Sequence, residues 1–275
     1  MSSSLLERAE RFRALHQAPG VFVIANAWDG ASARILESLG FEAIATSSGA
    51  AAATLGRLDG QLTREEALIH SRVVASATSR PVSADLEQGF GDSPQVVAET
   101  VRLAAEAGLV GCSIEDSTRD PARPLYDVGL ATERIAAAAQ AARALPIPFT
   151  LTARCERFLQ NNPDLDDTIR RLLAFERAGA DVLFAPGLPD LAAVRAVCSV
   201  LSRPVNFMAG IRGKSFSVAE LAAAGIKRVS LATSLYRAAV TGMLTAAREV
   251  RESGTFTYLD HILPTPELNA FLKHS

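Results

Sequence analysis

Histidine and cysteine are scarce in this chain: four and three among 275 residues. The cysteines, Cys112, Cys155 and Cys198, form no CxxC pair. That fits a reducing compartment and excludes a cysteine zinc cluster. His16 and His70 fall in helix-like segments, and His261 and His274 in the C-terminal tail. Zinc chemistry and a Ser-His-Asp triad therefore find no imidazole at a plausible site. A net charge of −2, a pI near 6.1 and the lack of any Lys/Arg run or aromatic-basic interleaving argue against a nucleic-acid partner. No apolar run approaches the roughly 20 residues of a membrane span. Residues 1–12 mix serines with Glu7, Arg8, Glu10 and Arg11, unlike a signal peptide. A cytoplasmic, soluble protein is expected, and carboxylates, arginines and backbone amides are left to carry its chemistry.

The stretch Pro81-Val-Ser-Ala-Asp-Leu-Glu-Gln-Gly-Phe-Gly91 reads as a buried strand that ends in carboxylates. Pro81 starts it and the Gly89-Phe-Gly91 turn stops it. Asp85 and Glu87 are two apart, so in extended geometry they share a side. Paired carboxylates repel unless a cation lies between them, and a hard divalent ion such as Mg2+ is the common answer; a solvated acidic turn is the other reading.

An internal rhythm runs through the chain. Gly40, Gly108, Gly179 and Gly225 each close a helical stretch and precede a short apolar run of buried-strand length. Strands are expected at 21–25, 43–46, 82–85, 110–115, 149–153, 182–185, 205–207 and 228–231. Helices are expected at 31–39, 64–77, 94–107, 132–143, 165–178, 188–200, 218–223 and 234–251. Eight strands alternating with helices in about 250 residues is the pattern of a (β/α)8 TIM barrel. A barrel over 1–253 with a C-terminal extension at 254–275 is the expected organisation. The extension, with Tyr258, Leu259, Ile262 and Leu263, is too apolar for a free tail and should pack on its own or a neighbouring subunit. The rival, a doubly wound sheet, would carry a Gly-rich turn after its first strand, and Asn26-Ala-Trp-Asp-Gly30 is not one.

In a barrel the chemistry sits where strands end and helices begin. Those junctions hold Asn26 and Asp29, Thr46-Ser-Ser-Gly49, Asp59, Asp85 with Glu87, Glu115-Asp116, Arg154 with Glu156, Asn206, and Arg212 with Lys214. Thr46-Ser-Ser-Gly49 reads either as an anion-binding nest suited to a small carboxylate or as an ordinary turn. Arg154 must pair or bind: it suits a substrate carboxylate or an enolate oxygen, with Glu115 or Glu156 as structural competitors. The irregular connection 117–131 reads as a lid or as a passive surface loop.

Taken together, Asn26-Ala-Trp-Asp-Gly30, Thr46-Ser-Ser-Gly49, Leu58-Asp-Gly60, Asp85-Leu-Glu-Gln-Gly-Phe-Gly91, Ile114-Glu-Asp116, Ala153-Arg154 and Pro204-Val-Asn206 resemble the isocitrate lyase/phosphoenolpyruvate mutase superfamily. The resemblance implies a (β/α)8 barrel whose last helix is exchanged between subunits of a homo-oligomer, dimer or tetramer. It also implies a Mg2+ site, with Mn2+ as the substitute, and chemistry through a pyruvate-like enolate. On it, Asp85 is the direct metal ligand and Asp59, Glu87 and Glu115 hold metal-bound water. Ser47, Ser48 and Gly49 take the substrate carboxylate, Arg154 stabilises the enolate oxygen, and Asn206 is a further substrate contact.

Two departures narrow the activity. The Lys/Arg-Cys-Gly-His lid motif of the isocitrate and methylisocitrate lyases is absent, since the segment between Glu115 and Thr132 has neither Cys nor His. The Lys and Asn of the phosphonomutase lid are absent from 116–131 as well, which leaves Arg119 and Arg123 as substitutes. The expected function is a Mg2+-dependent lyase or decarboxylase acting on a small, oxaloacetate-like 2-oxo or 2-hydroxy acid. The alternatives are a phosphonomutase or phosphonopyruvate hydrolase, or a non-catalytic carboxylate-binding barrel.

Overall fold

The computed structural model describes residues 4–273; His274 lies outside the described residues. Eight parallel strands close a barrel in chain order. They are β1 (Phe22–Asn26), β2 (Ala43–Ala45), β3 (Val82–Asp85), β4 (Gly111–Glu115), β5 (Thr150–Arg154), β6 (Val182–Phe184), β7 (Val205–Met208) and β8 (Arg228–Ser230). The helices are α1 (Leu5–Gln17), α2 (Gly30–Ser38), α3 (Ser48–Thr54), α4 (Arg64–Ala77), α5 (Pro94–Glu106), α6 (Val128–Arg143), α7 (Leu165–Arg177), α8 (Leu191–Val200), α9 (Val218–Ala223), α10 (Ser234–Ser253) and α11 (Thr265–Leu272). The (β/α)8 expectation is met, with half of the boundaries shifted by one to four residues.

Local chemistry sets these elements. Thr63 and Glu66 close a reciprocal capping box at the start of α4, and Ser93 caps α5 with Pro94 in its first turn. Gly108 adopts φ 89° after α5, a conformation that a Cβ would strain, and the chain turns there into β4. Three helices differ from the sequence reading. α1 and α11 lie outside the eight expected, and α3 occupies what read as a nest or turn. α6 also begins at Val128, because Asp127 accepts from the amides of Gly129 and Leu130. The irregular connection is thus shorter than 117–131.

α1 plugs the bottom of the barrel. Its Ala9 and Phe12, both fully buried, pack on Phe22, Ile24, Ala43, Ala45 and Val110. Gly111 leaves the room for this: a Cβ there would stand 2.7 Å from the Thr150 carbonyl and 3.1 Å from the Phe12 ring. The bottom face therefore serves stability, and the polar junctions gather at the other end.

α10 does not seal the barrel as the preceding helices do. None of its residues is buried, and Met243, Leu244 and Val250 are exposed along it. α11 returns to the barrel and lies against α2, where Arg34 donates to the Leu272 carbonyl at 2.5 Å. Among the described residues no helix is long and apolar enough to cross a membrane.

Candidate active site

At the carboxyl ends of the strands lies a cavity of about 340 Å3, lined by Asn26, Ser47, Ser48, Asp59, Asp85, Arg154 and Asn206 among others. β3 ends at Asp85, whose amide donates to Thr46 Oγ1 at 3.1 Å across the sheet. Its Oδ2 accepts from Ser48 Oγ at 2.9 Å and from the Ser48 amide at 3.4 Å. Ser47 caps α3, accepting from the Ala50 amide at 3.4 Å. Thr46-Ser-Ser-Gly49 is accordingly the entry to a helix, and Thr46, Ser47 and Ser48 line the cavity while Gly49 does not. Gly49 lets Asp59 approach: a Cβ at 49 would stand 3.1 Å from Asp59 Oδ2.

Arg154 ends β5 and gathers three carboxylates. It lies 3.5 Å from Asp85 Oδ2, 3.5 Å from Glu115 Oε2, and donates through Nε to Glu156 Oε1. The guanidinium is paired, as one reading had it, and it also lines the cavity, stacked over Phe184 at 5.3 Å. At an effective dielectric near 20, each contact at this range is worth about 4–5 kcal/mol before desolvation. One guanidinium cannot offset three carboxylates that also repel one another. Burial pushes the Glu115 carboxyl up from its ordinary range; Arg154 opposes that rise, while Glu156 and Asp85 add to it. Burial disfavours charge on Arg154, yet Glu156, Glu115 and Asp85 together hold it more firmly protonated than a free arginine.

Glu87 corrects a geometric expectation. The strand stops at Asp85 and Glu87 adopts φ 53°, so the same-side relation of an extended strand does not reach it. Glu87 is buried, pairs with Arg119 and does not line the cavity, and its Oε1 is a buried atom without a hydrogen-bond partner. Among the described residues no three Asp, Glu, His or Cys side chains gather as a direct metal cage. The donor set, all oxygen, is nonetheless of the kind that suits a hard cation such as Mg2+. Asp85 and Asp59 present oxygens to the cavity, Glu115 lies behind Arg154, Glu87 carries an orphaned oxygen, and the cluster is short of positive charge.

Several supporting residues escaped the sequence reading. Arg134, 1% exposed, donates to the Gly91 and Asp92 carbonyls at 2.5 Å and to the Gln88 carbonyl, and it stacks over Tyr126 at 4.2 Å. It thereby fixes the turn that follows Asp85. Asp116 is structural: it accepts from the Glu156 amide at 2.8 Å and pairs with Arg171 at 3.2 Å, and burial pushes its carboxyl up to about 6. The connection after β4 folds back as a hairpin with an antiparallel bridge between Ser117 and Leu125. From it Arg119 reaches the Gly60 carbonyl at 2.5 Å, beside Asp59. Asn206 points inward as expected, but both ends of its amide are engaged, by Ser230 Oγ at 3.0 Å and Arg228 Nε at 2.8 Å. Arg123, Arg212 and Lys214 stay outside the cavity lining.

The family model for phosphoenolpyruvate phosphomutase matches residues 12–251. An oxaloacetate decarboxylase of Pseudomonas paraeruginosa is 31% identical over 246 residues, covering 87% of this chain and 84% of that one. Among solved structures, a Burkholderia cenocepacia protein provisionally assigned as a lyase/mutase is similar with TM-score 0.95 and 51% identity, over 97% of this chain and 96% of that one. A phosphoenolpyruvate phosphomutase from Streptomyces platensis subsp. rosaceus is similar with TM-score 0.84 and 31% identity, over 96% and 94%.

Proposed function

Because the chain belongs to the isocitrate lyase/phosphoenolpyruvate mutase superfamily, we propose that it is a Mg2+-dependent carbon-carbon lyase or decarboxylase acting on a small, oxaloacetate-like 2-oxo or 2-hydroxy acid. The observation that carries this reading is Arg154 at the cavity wall, braced by Glu115 and Glu156 and 3.5 Å from Asp85. Asp85 would hold the ion directly and Asp59, Glu87 and Glu115 through water, and the bound ion supplies Lewis-acid charge beside the substrate carbonyl. Ser47, Ser48 and Gly49 offer the substrate carboxylate the hydroxyls and amides of the first turn of α3. Arg154 donates to the oxygen on which enolate charge develops, already oriented by its acidic neighbours. In decarboxylation the bond between C3 and the departing carboxyl breaks, its electron pair passes into the enolate and CO2 leaves. A proton then adds at C3. The hairpin after β4, anchored by Arg119, excludes water from the enolate.

Catalysis that asks only for a cation and an arginine suits a lid without Cys or His, and the oxaloacetate decarboxylase relative supports that branch. A phosphonate reading is the alternative, favoured by Arg119 at the rim as a cation for a phosphoryl group. The assembly proposed is a homo-oligomer that exchanges α10, which would cover Met243, Leu244 and Val250. The test is 2-oxo acid formation with Mg2+, read as pyruvate from oxaloacetate, methylisocitrate and phosphonopyruvate and as glyoxylate from isocitrate. Pyruvate from oxaloacetate, lost with EDTA and restored by Mg2+, supports the decarboxylase. Pyruvate from phosphonopyruvate alone selects the phosphonate branch, and ligand-induced stabilisation without turnover selects a binding protein.

A further inference from the structure

The barrel floor carries a cation that the reaction above does not use. Arg228 opens β8, is 5% exposed and lines the floor of the cavity. Its partners are all neutral: Nε donates to Asn206 Oδ1 at 2.8 Å, one terminal nitrogen to Thr152 Oγ1 at 3.0 Å, and the other faces His16 Nε2 at 3.3 Å. Because arginine only donates, His16 Nε2 must accept, and its Nδ1–H then donates to the Phe12 carbonyl at 2.8 Å. His16 is thus a neutral imidazole, and no carboxylate pairs with Arg228 among the described residues.

A guanidinium has five N–H donors. Three are engaged here, which leaves two N–H groups and a full charge at the base of a cavity. A buried cation without a counter-ion is costly, and a planar pair of donors matches a carboxylate in the two-bond mode. Burial alone lowers the Arg228 pKa to about 9, with no acid nearby to raise it. Ordinary barrel interiors are filled by branched apolar side chains. Here Thr152 and Asn206 instead accept from the guanidinium, and Ser230 in turn accepts from Asn206.

We propose that Arg228 forms an anion subsite on the cavity floor, and that the ligand of this cavity is two-ended, with one carboxylate at Ser47–Gly49 and a second acidic group on Arg228. The proposal rests on the reading that the upper end takes a carboxylate.

Isothermal titration of the intact protein in Mg2+ buffer with malonate, succinate and acetate tests it. For wild type, at least one dicarboxylate binds tenfold or more tightly than acetate. Arg228→Met weakens that dicarboxylate at least tenfold and changes acetate less than twofold. Thr152→Val, which removes a neutral neighbour and leaves the cation, keeps the preference. If the Met variant does not fold by circular dichroism, Arg228→Lys replaces it. A threefold or greater weakening of the dicarboxylate alone supports the subsite. Wild-type dicarboxylate affinity in the Arg228 variant overturns the proposal. Equal losses for acetate and dicarboxylate also overturn it, since they assign Arg228 to a separate single anion. These probes are bound rather than turned over. A failure of the lyase reading therefore shows as absent turnover with Arg228-dependent binding intact.

Discussion

Replacing Arg134 with Met removes the clamp on the turn after Asp85 while filling much the same volume. Three carbonyls lose a charged donor, those of Gln88, Gly91 and Asp92. Gln88 is buried, so its carbonyl is left unpaired at about 1–3 kcal/mol. Gly91 is half-buried and Asp92 exposed, so water takes over there at a few tenths of a kcal/mol each. Losing the stack on Tyr126 adds about 1 kcal/mol, partly offset because no guanidinium need be desolvated. The net loss is roughly 3 kcal/mol, or about 6 °C in melting temperature for a chain of this size. Urea unfolding and differential scanning calorimetry measure the stability, and Mg2+ titration reads the effect on the turn. Arg134→Met should melt lower and bind Mg2+ more weakly, because the turn carries Glu87. Stability within 1 kcal/mol of wild type with unchanged Mg2+ affinity would refute the clamp.

Arg154→Lys keeps the charge but loses the fork, and kcat/KM should fall about 100-fold or more with folding intact by circular dichroism. Gly49→Ala sets a methyl 3.1 Å from Asp59 Oδ2 and 3.2 Å from Thr233 Cγ2, so weaker Mg2+ binding is expected by calorimetry and unchanged binding would exclude Asp59 from the site. Burial, and after it the charges of Arg228 and Lys227, hold His16 at about 3, below its ordinary 6.5, with the Phe12 carbonyl opposing. The unfolded chain takes up this proton below pH 6.5 and the folded one does not, so stability present above 6.5 is lost as pH falls toward 3. Between pH 7.5 and 4.5 that is about 2–3 kcal/mol, and urea unfolding of His16→Gln should show a correspondingly shallower pH slope. Met243→Glu with Leu244→Glu should lower the oligomeric state seen by light scattering; an unchanged mass would place the contact elsewhere.

The barrel was legible because its signals are local. Gly40, Gly108, Gly179 and Gly225, each after a helix and before a short apolar run, mark four helix-strand junctions, and eight apolar runs alternating with helices leave little choice of architecture. Asp85, Glu115 and Arg154 were legible for the same reason, as charged residues at the ends of otherwise uncharged strands. Where the sequence misled, the signal was either weak or not local. Ser48–Thr54 is serine, glycine, alanine and threonine and shows no amphipathic face, and the extension that holds α11 was read only as an apolar packing segment, with Pro266 in the first turn of that helix. Arg134 and Arg171 occupy helices, where an arginine ordinarily faces solvent. Their burial depends on partners such as Gly91 and Asp116, 43 and 55 residues away. Glu87 was misjudged because strand alternation was carried past the last strand residue.

In the proposed reaction Asp85 holds the cation on which turnover depends. Calorimetric Mg2+ titration of wild type and Asp85→Asn, with oxaloacetate turnover followed on the same preparations, tests it most directly. Saturable Mg2+ binding and Mg2+-dependent pyruvate formation are expected in wild type, both lost in a variant that melts normally. Asp85→Asn protein that still binds Mg2+ and forms pyruvate at the wild-type rate would contradict it.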